Sequence, residues 1–352
     1  MDRMIKEQIL DALRKLHIPG NEDNIVALGK VSDICVLQSK VYLSIQVSRE
    51  EAEGLGSFRV EAEQIVKEIP SVKEAVVTLT SNKEIPRRKS IPKNNISEIK
   101  SFIAVASCKG GVGKSTTTVN LACSLKNQGK NIAILDADIY GPSIPTLLKI
   151  SGKAEVIENN CLKPMENYGI KVMSIGSIVN NSDAMIWRGP MVQSAIMHML
   201  KNVSWGKLDV LLIDMPPGTG DAHLTIAQKI PLSGVIIVST PQNLAMVDVK
   251  RAISMFQKLN IPIIGMIENM SYFIDHENGK KYDIFGNGGV RAEADKMGIP
   301  FLESIPLDMD MRIASDIGFP TVIKDPKSII SGIYQKISDR IQQFLCEQKV
   351  KN

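Results

Sequence analysis

Apolar residues in the first sixteen positions recur at helical spacing: Ile5, Ile9, Leu10, Leu13 and Leu16 share one face of a predicted helix over 3–16. Over 25–47 the period shortens. In Val41-Tyr42-Leu43-Ser44-Ile45-Gln46-Val47 apolar and polar side chains alternate, as in a half-buried strand. A second helix fits 49–68, and Val72–Leu79 reads as a closing strand. Residues 1–80 therefore form a small α+β unit, near the lower size limit for independent folding.

Beyond Phe102 the pattern changes. Continuous apolar runs recur at Phe102–Ala106, Ile132–Leu135, Val172–Ile175, Val210–Ile213, Val235–Val238 and Ile263–Ile267, with amphipathic stretches between them. Strands buried on both faces by helices read this way. The expected class is α/β, a mostly parallel doubly wound sheet over 101–352. Near the end, Ile330, Ile333, Ile337, Ile341, Phe344 and Leu345 fall on one helical face. Between the two units, 81–100 carries two prolines, few large apolar residues and a basic cluster, and reads as a solvated linker.

Composition adds limits. Of 352 residues, 44% are hydrophobic and 23% charged, which excludes a mainly disordered chain, a collagen or a disulfide scaffold. The net charge of +4 is matched by 83–100 alone, where Lys83, Arg87, Arg88, Lys89, Lys93 and Lys100 face only Glu84 and Glu98. The charge thus marks a tether that an acidic partner could use, not a basic face on the larger unit, and nucleic acid is not an expected partner. Five cysteines (Cys35, Cys108, Cys123, Cys161, Cys346) are scattered with no C-x-x-C pair, as suits free thiols in a reducing compartment. No secretory leader is visible after Met1, and no apolar run reaches the roughly 18 residues of a membrane span. A cytoplasmic, soluble protein without a membrane partner is the expectation.

Cys108-Lys109-Gly110-Gly111-Val112-Gly113-Lys114-Ser115-Thr116 follows a predicted strand and opens a helix over 116–128, the setting a phosphate-binding loop requires. Glycines let backbone N–H groups converge on phosphate oxygens at a helix N-terminus. Lys114 is placed to reach the β/γ-phosphates, and the Ser115 hydroxyl to ligate Mg²⁺. Cys108 stands where the first glycine of the motif is usual, tolerable if its φ is negative; a redox role beside the phosphates is a second reading. Lys109, an extra lysine before the glycines, resembles the signature of the MinD, ParA and nitrogenase iron-protein group. That resemblance implies a lysine reaching the partner's nucleotide across a homodimer.

Two strands end in acids. Asp136 and Asp138 follow Ile134-Leu135, and Asp214 follows Leu212-Ile213. Asp214 is the Walker-B candidate for Mg²⁺, Asp136 a supporting metal ligand or an exposed strand-end acid, and Asp138 a candidate to orient attacking water. Gly218 and Gly220 suit a loop that responds to the γ-phosphate. Gln242 and Asn269, at later strand ends, are candidates to meet the base of a nucleotide, or simply turn and cap residues.

CKGGVGKST (108–116), DADIYGPSIP (136–145), WRGPM (187–191), LLIDMPPGTGD (211–221), TPQ (240–242), IENMSYF (267–273) and IFGNGG (284–289) occur in one order and spacing. Together they closely resemble the Mrp family of iron–sulfur cluster carrier ATPases, and the N-terminal unit more loosely resembles the cluster-assembly-associated domain that precedes many of them. The resemblance implies a homodimer that binds ATP with Mg²⁺, hydrolyses it slowly and hands a labile cluster to apoproteins. The family's ligands are two cysteines in C-x-x-C after M-S-x-x; here those positions hold Asp275 and Asn278, with His276 between them. Carboxylate and amide are hard oxygen ligands, whereas clusters take thiolates. Three expectations stay open: cluster delivery with altered ligands or by helping a partner that carries the cluster, a metal-free ATP-gated dimeric scaffold, and a MinD/ParA-like partitioning ATPase.

Overall fold

A computed structural model describes residues 2–16, 23–37, 40–47, 56–70, 72, 74–81, 96–157, 161–178, 189–218, 220–275 and 277–351. The chain divides into two compact units, Met1–Ile91 and Pro92–Asn352.

In the first unit, strands β1 (Val31–Leu37), β2 (Lys40–Val47) and β3 (Glu74–Ser81) form one sheet in sequential order. β1 and β2 are antiparallel; β3 returns parallel to β2, so a helix must cross over between them. That helix is Gly56–Lys67, shorter at its start than the expected 49–68; 48–55 lie outside the described residues. It buries Phe58, Ala62 and Val66, spaced four apart, against Val41, Leu43 and Ile45 of β2, while Tyr42 between them is exposed. Ile9 and Leu13 of the helix Asp2–Leu13 complete this core.

The second unit is built on an eight-stranded sheet. Its strands in chain order are β4 (Phe102–Ala106), β5 (Ile132–Asp136), β8 (Met165–Asn167), β9 (Ile170–Ser174), β10 (Val210–Asp214), β11 (Gly234–Ser239), β12 (Ile263–Glu268) and β15 (Phe301–Ser304). Two short hairpins, β6–β7 (Val156–Ile157, Cys161–Leu162) and β13–β14 (Phe273–Ile274, Lys281–Tyr282), stand apart from it. The order across the sheet is β15-β12-β11-β4-β10-β5-β9-β8, parallel throughout except β8, which is antiparallel to β9. Strand faces alternate between two cores. Phe102, Ala104 and Ala106 of β4 pack with Trp205 and Phe256 on one side; Ile103 and Val105 pack with Leu121 and Tyr334 on the other.

From β4 the chain first runs outward to β5 and β9, then returns to β10 and continues past β4 to β11, β12 and β15. The reversal opens a crevice at the carboxyl ends of β4, β10 and β5, where an open α/β sheet holds its ligand. The C-terminal helix Ile329–Lys351 buries Ile330, Ile333, Ile337 and Ile341, with Phe344 and Leu345 packed partly against them. One face of it is packed into the fold and the other is exposed. No helix among the described residues is long and apolar enough to cross a membrane.

The end of the expected linker belongs to this unit. Ile99 is buried and pairs with Leu208, and Lys100 Nζ lies 2.7 Å from Asp209 Oδ1. Lys100 is thus neutralised locally, and of the basic cluster only Lys83, Arg87, Arg88, Lys89 and Lys93 remain, outside the described residues.

Candidate nucleotide site

The phosphate loop begins where β4 leaves the sheet. Left-handed backbone falls on Gly111 and Gly113 (φ +80° and +82°), and not on Cys108. This is why a Cβ is tolerated at 108 but not at those glycines. Gly113 has a second constraint: a Cβ there would collide with the Asn269 side-chain amide. Ser107 Oγ donates to the Lys109 carbonyl at 3.1 Å and closes the loop. The helix runs Lys114–Asn127, starting two residues earlier than expected. A cleft of about 290 Å³ lies over Lys109–Thr116, with Asp138, Gly141, Ser143 and Pro217 among its walls.

Asp214, at the end of β10, is fully buried and gathers three donors. Its Oδ2 accepts from Lys114 Nζ at 2.6 Å and Ser115 Oγ at 2.6 Å, and its Oδ1 lies 2.7 Å from Thr118 Oγ1. Asp136 is the register partner of Asp214 on the adjacent strand and is also fully buried, so it is not an exposed strand-end acid. Ser174 Oγ donates to its Oδ2 at 3.0 Å and the Asp138 N–H to its Oδ1 at 3.2 Å. Burial first, and then the neighbouring Asp214 charge, push its carboxyl up to about 8. Burial likewise raises Asp138, whose Oδ1 accepts from Gly141 N–H at 3.3 Å, although Lys114 opposes the shift.

Two adjacent buried carboxylates beside a serine hydroxyl are a hard-oxygen donor set and fit Mg²⁺, which takes one or two protein oxygens and completes its shell with phosphates and water. Among the described residues no group of three acidic, histidine or cysteine side chains stands ready to hold a metal alone. The cation would therefore share its ligands with the nucleotide.

Lys109 sits half-buried at the rim of the cleft. Burial pushes the Cys108 thiol up to about 12, Asp248 adding to the rise and Lys109 opposing it. A protonated thiol is a poor nucleophile, and the redox reading finds no support there.

On the far side of β4, Thr240 Oγ1 donates to Gln242 Oε1 at 2.9 Å. Gln242 is exposed at the start of the helix Asn243–Lys258. Asn269 is buried; its Nδ2 donates to the Val112 carbonyl at 2.8 Å, and its Oδ1 has no hydrogen-bond partner.

Sequence reasoning passed over Thr118 and His223. Thr118 lies one turn beyond Lys114, a spacing that could have flagged it. The His223 ring is buried near the start of the helix Asp221–Lys229, with Nε2 unpartnered. Burial, with Lys114 assisting, depresses its pKa to about 4.

The cluster positions are a different matter. Asp275 and Asn278 close the β13–β14 hairpin. Asp275 Oδ1 accepts from Glu277 N–H at 2.9 Å and its Oδ2 from Asn278 Nδ2 at 2.7 Å, while Asn278 Oδ1 accepts from Lys280 N–H at 2.8 Å. The lysines after the turn pack on aromatic faces, Lys281 Nζ 3.9 Å from the Tyr272 ring centre. Hard oxygens already committed to a turn do not fit an iron–sulfur cluster. His276 lies outside the described residues. Cys108, Cys123, Cys161 and Cys346 are in no disulfide, and Cys123 is buried on the phosphate-loop helix.

Comparison with known proteins agrees with the geometry. Residues 98–342 match the family model described as NUBPL iron-transfer P-loop NTPase, and residues 6–78 match the iron–sulfur cluster assembly protein model. The chain is 38% identical over 342 residues to an iron–sulfur cluster carrier protein of Synechocystis, covering 95% of this chain and 96% of that one. It is 48% identical over 250 residues to an Arabidopsis thaliana protein named as an iron–sulfur protein required for NADH dehydrogenase, mitochondrial, covering 71% and 80%. Among solved structures, a nucleotide-binding protein from Archaeoglobus fulgidus in complex with ADP superposes with a TM-score of 0.60 at 40% identity, over 68% of this chain and 94% of that one. The cell-division ATPase MinD of Pyrococcus furiosus, at 20% identity, a TM-score of 0.53 and coverage of 69% and 98%, shares the fold. With a phosphate loop leading into Asp214 and Asp136, and with both family models matched in sequence, the chain belongs to the NUBPL/Mrp-type family of iron–sulfur cluster carrier P-loop NTPases.

Proposed function

We propose that the chain is a slow ATPase of the cluster-carrier type, acting as a homodimer in the cytoplasm to support iron–sulfur cluster delivery to apoproteins. The observation that carries this is the convergence of Lys114, Ser115 and Thr118 on Asp214 beside Asp136, directly under the phosphate loop.

The loop amides and the N-terminus of the helix Lys114–Asn127 bind the phosphates. Lys114 holds the β/γ-phosphates by charge. Ser115, Asp136 and Asp214 hold Mg²⁺, which when bound offsets the phosphate charge. Asp138 at the cleft wall orients the attacking water. Lys109 serves the nucleotide of a second copy, so closure of the dimer completes the site and hydrolysis alone is slow. Gly218 (φ +94°) gives the loop after Asp214 a hinge that follows the γ-phosphate. Gln242 and Asn269 face the base.

The test is phosphate release from Mg-ATP by the full chain against an Asp214→Asn variant. Release no greater than that of the variant overturns the ATPase reading.

A second reading has its own observation. The self-satisfied hairpin at Asp275 and Asn278 favours a metal-free, ATP-gated scaffold whose dimerisation signals its state.

A further inference from the structure

We propose that Thr118 and Ser174 are the positioning residues of the Mg²⁺ site, two buried hydroxyls that hold Asp214 and Asp136 in the orientation the cation needs. This rests on the reading that Ser115, Asp136 and Asp214 hold Mg²⁺ beside the nucleotide.

Asp214, Asp136 and Ser174 are register partners at the carboxyl ends of β10, β5 and β9, so they stand in one row across three adjacent strands. All three are fully buried. Thr118, also fully buried, reaches Asp214 from the helix Lys114–Asn127. Each carboxylate thus has a hydroxyl of its own. Thr118 Oγ1 donates to Asp214 Oδ1 at 2.7 Å, and Ser174 Oγ to Asp136 Oδ2 at 3.0 Å. Neither Thr118 nor Ser174 is among the walls of the cleft, so each acts through its carboxylate and not on the nucleotide.

The hydroxyls are themselves fixed. Thr118 Oγ1 lies 3.0 Å from the Lys114 carbonyl one turn earlier, a contact that selects one of the rotamers open to a helical threonine. Ser174 Oγ accepts from the Gly176 N–H at 3.4 Å, which leaves its own proton for Asp136. The other oxygen of each carboxylate meets groups of the cleft. Asp214 Oδ2 accepts from Lys114 and Ser115, and Asp136 Oδ1 from the N–H of Asp138. With a nucleotide in the cleft, Lys114 turns to the phosphates and Ser115 to the cation. Asp214 then loses two of its three donors, and Thr118 alone keeps the carboxylate from rotating. A ligand free to rotate binds metal less tightly, which is why partners behind the ligands carry a large share of metal affinity.

The test uses the full chain with ADP and Mn²⁺, whose electron paramagnetic resonance reports metal binding without turnover. Thr118→Val keeps the volume and Ser174→Ala removes only the hydroxyl, while Thr118→Ser and Ser174→Thr retain a hydroxyl. In each hydroxyl-free variant the Mn²⁺ dissociation constant of the ADP complex is expected to rise about tenfold. ADP affinity in EDTA is expected to stay at its native value, and the hydroxyl-bearing variants to bind Mn²⁺ close to natively. Native-like Mn²⁺ binding in both Thr118→Val and Ser174→Ala overturns the inference. A shift in one of them alone overturns the role of the other hydroxyl. ADP affinity in EDTA that falls as far as Mn²⁺ affinity makes the hydroxyls merely structural and also overturns it. Where one variant does not fold, the other decides, because the two hydroxyls sit on different elements. A native chain that binds no Mn²⁺ with ADP overturns the reading of the Mg²⁺ site itself.

Discussion

Lys114 Nζ lies 2.6 Å from Asp214 Oδ2, the two being 100 positions apart in the chain and almost wholly out of solvent. The pair bolts the phosphate-loop helix to the end of β10. It also couples nucleotide binding to stability, because each partner is buried and depends on the other.

Removing Lys114 should therefore do two things. Lys114→Ala abolishes tight ATP binding and leaves Asp214 with only hydroxyl donors. Breaking one side of a buried ion pair costs about 3–5 kcal/mol. Adding Asp214→Asn in the same chain should return part of that stability but none of the binding. Urea unfolding and ATP titration calorimetry read the two effects separately. A double variant no more stable than Lys114→Ala would show that the pair carries no such strain.

Lys109 should behave differently. Lys109→Ala keeps most of the ATP affinity, since Lys114 and the loop amides remain, but removes hydrolysis. Single-turnover phosphate release on the pre-bound nucleotide is the measurement. Near-normal turnover would sink the trans-lysine reading.

His223 makes stability depend on pH. Its ordinary pKa of 6.5 falls to about 4 in the fold. Above pH 6.5 the ring is neutral in both folded and unfolded chains and contributes nothing. As pH drops from 6.5 to 4 only the unfolded chain takes up the proton, so the folded state loses up to about 3 kcal/mol, with no further loss below 4. His223→Gln should flatten that segment of the curve. Asp136, whose raised pKa gives the opposite slope, is common to both proteins and cancels in the difference. Parallel curves for the two proteins between pH 4 and 6.5 would refute the assignment.

The hairpin gives a metal prediction. Anaerobic reconstitution with iron and sulfide, followed by absorption and Mössbauer spectra, should load no cluster at 275–278 in the native chain. Asp275→Cys with Asn278→Cys restores two thiolates at the family positions and should gain the cluster bands. A stoichiometric cluster per dimer in the native chain would favour carriage with altered ligands over the scaffold reading.

Much of the fold was legible because central parallel strands are buried on both sides, so β4, β5, β10, β11 and β12 show as unbroken apolar runs. β15 (Phe301–Ser304) and β8 (Met165–Asn167) escaped notice. Both lie at the sheet's edges, where burial is partial and polar residues are allowed. The phosphate loop was readable as a local motif, since its glycines, lysine and serine act within nine consecutive residues. The absence of the family's cysteine pair was equally plain.

Everything that depends on distant segments had to wait for three dimensions. The amino-acid order specifies Asp136 and Asp214 as strand-end acids; only the return of the chain to place β10 between β4 and β5 sets them side by side, where burial and then the neighbouring Asp214 charge raise the Asp136 carboxyl. The sequence places Asp275 and Asn278 where cysteines are expected, while the hairpin decides that their oxygens are already engaged. Glu268 reads as one more strand-end acid until the fold brings two amides from twenty residues downstream onto it. The division has one cause. Backbone conformation and burial period are local properties of the chain, whereas charge pairing and hydrogen-bond saturation belong to whichever segments the sheet order makes neighbours.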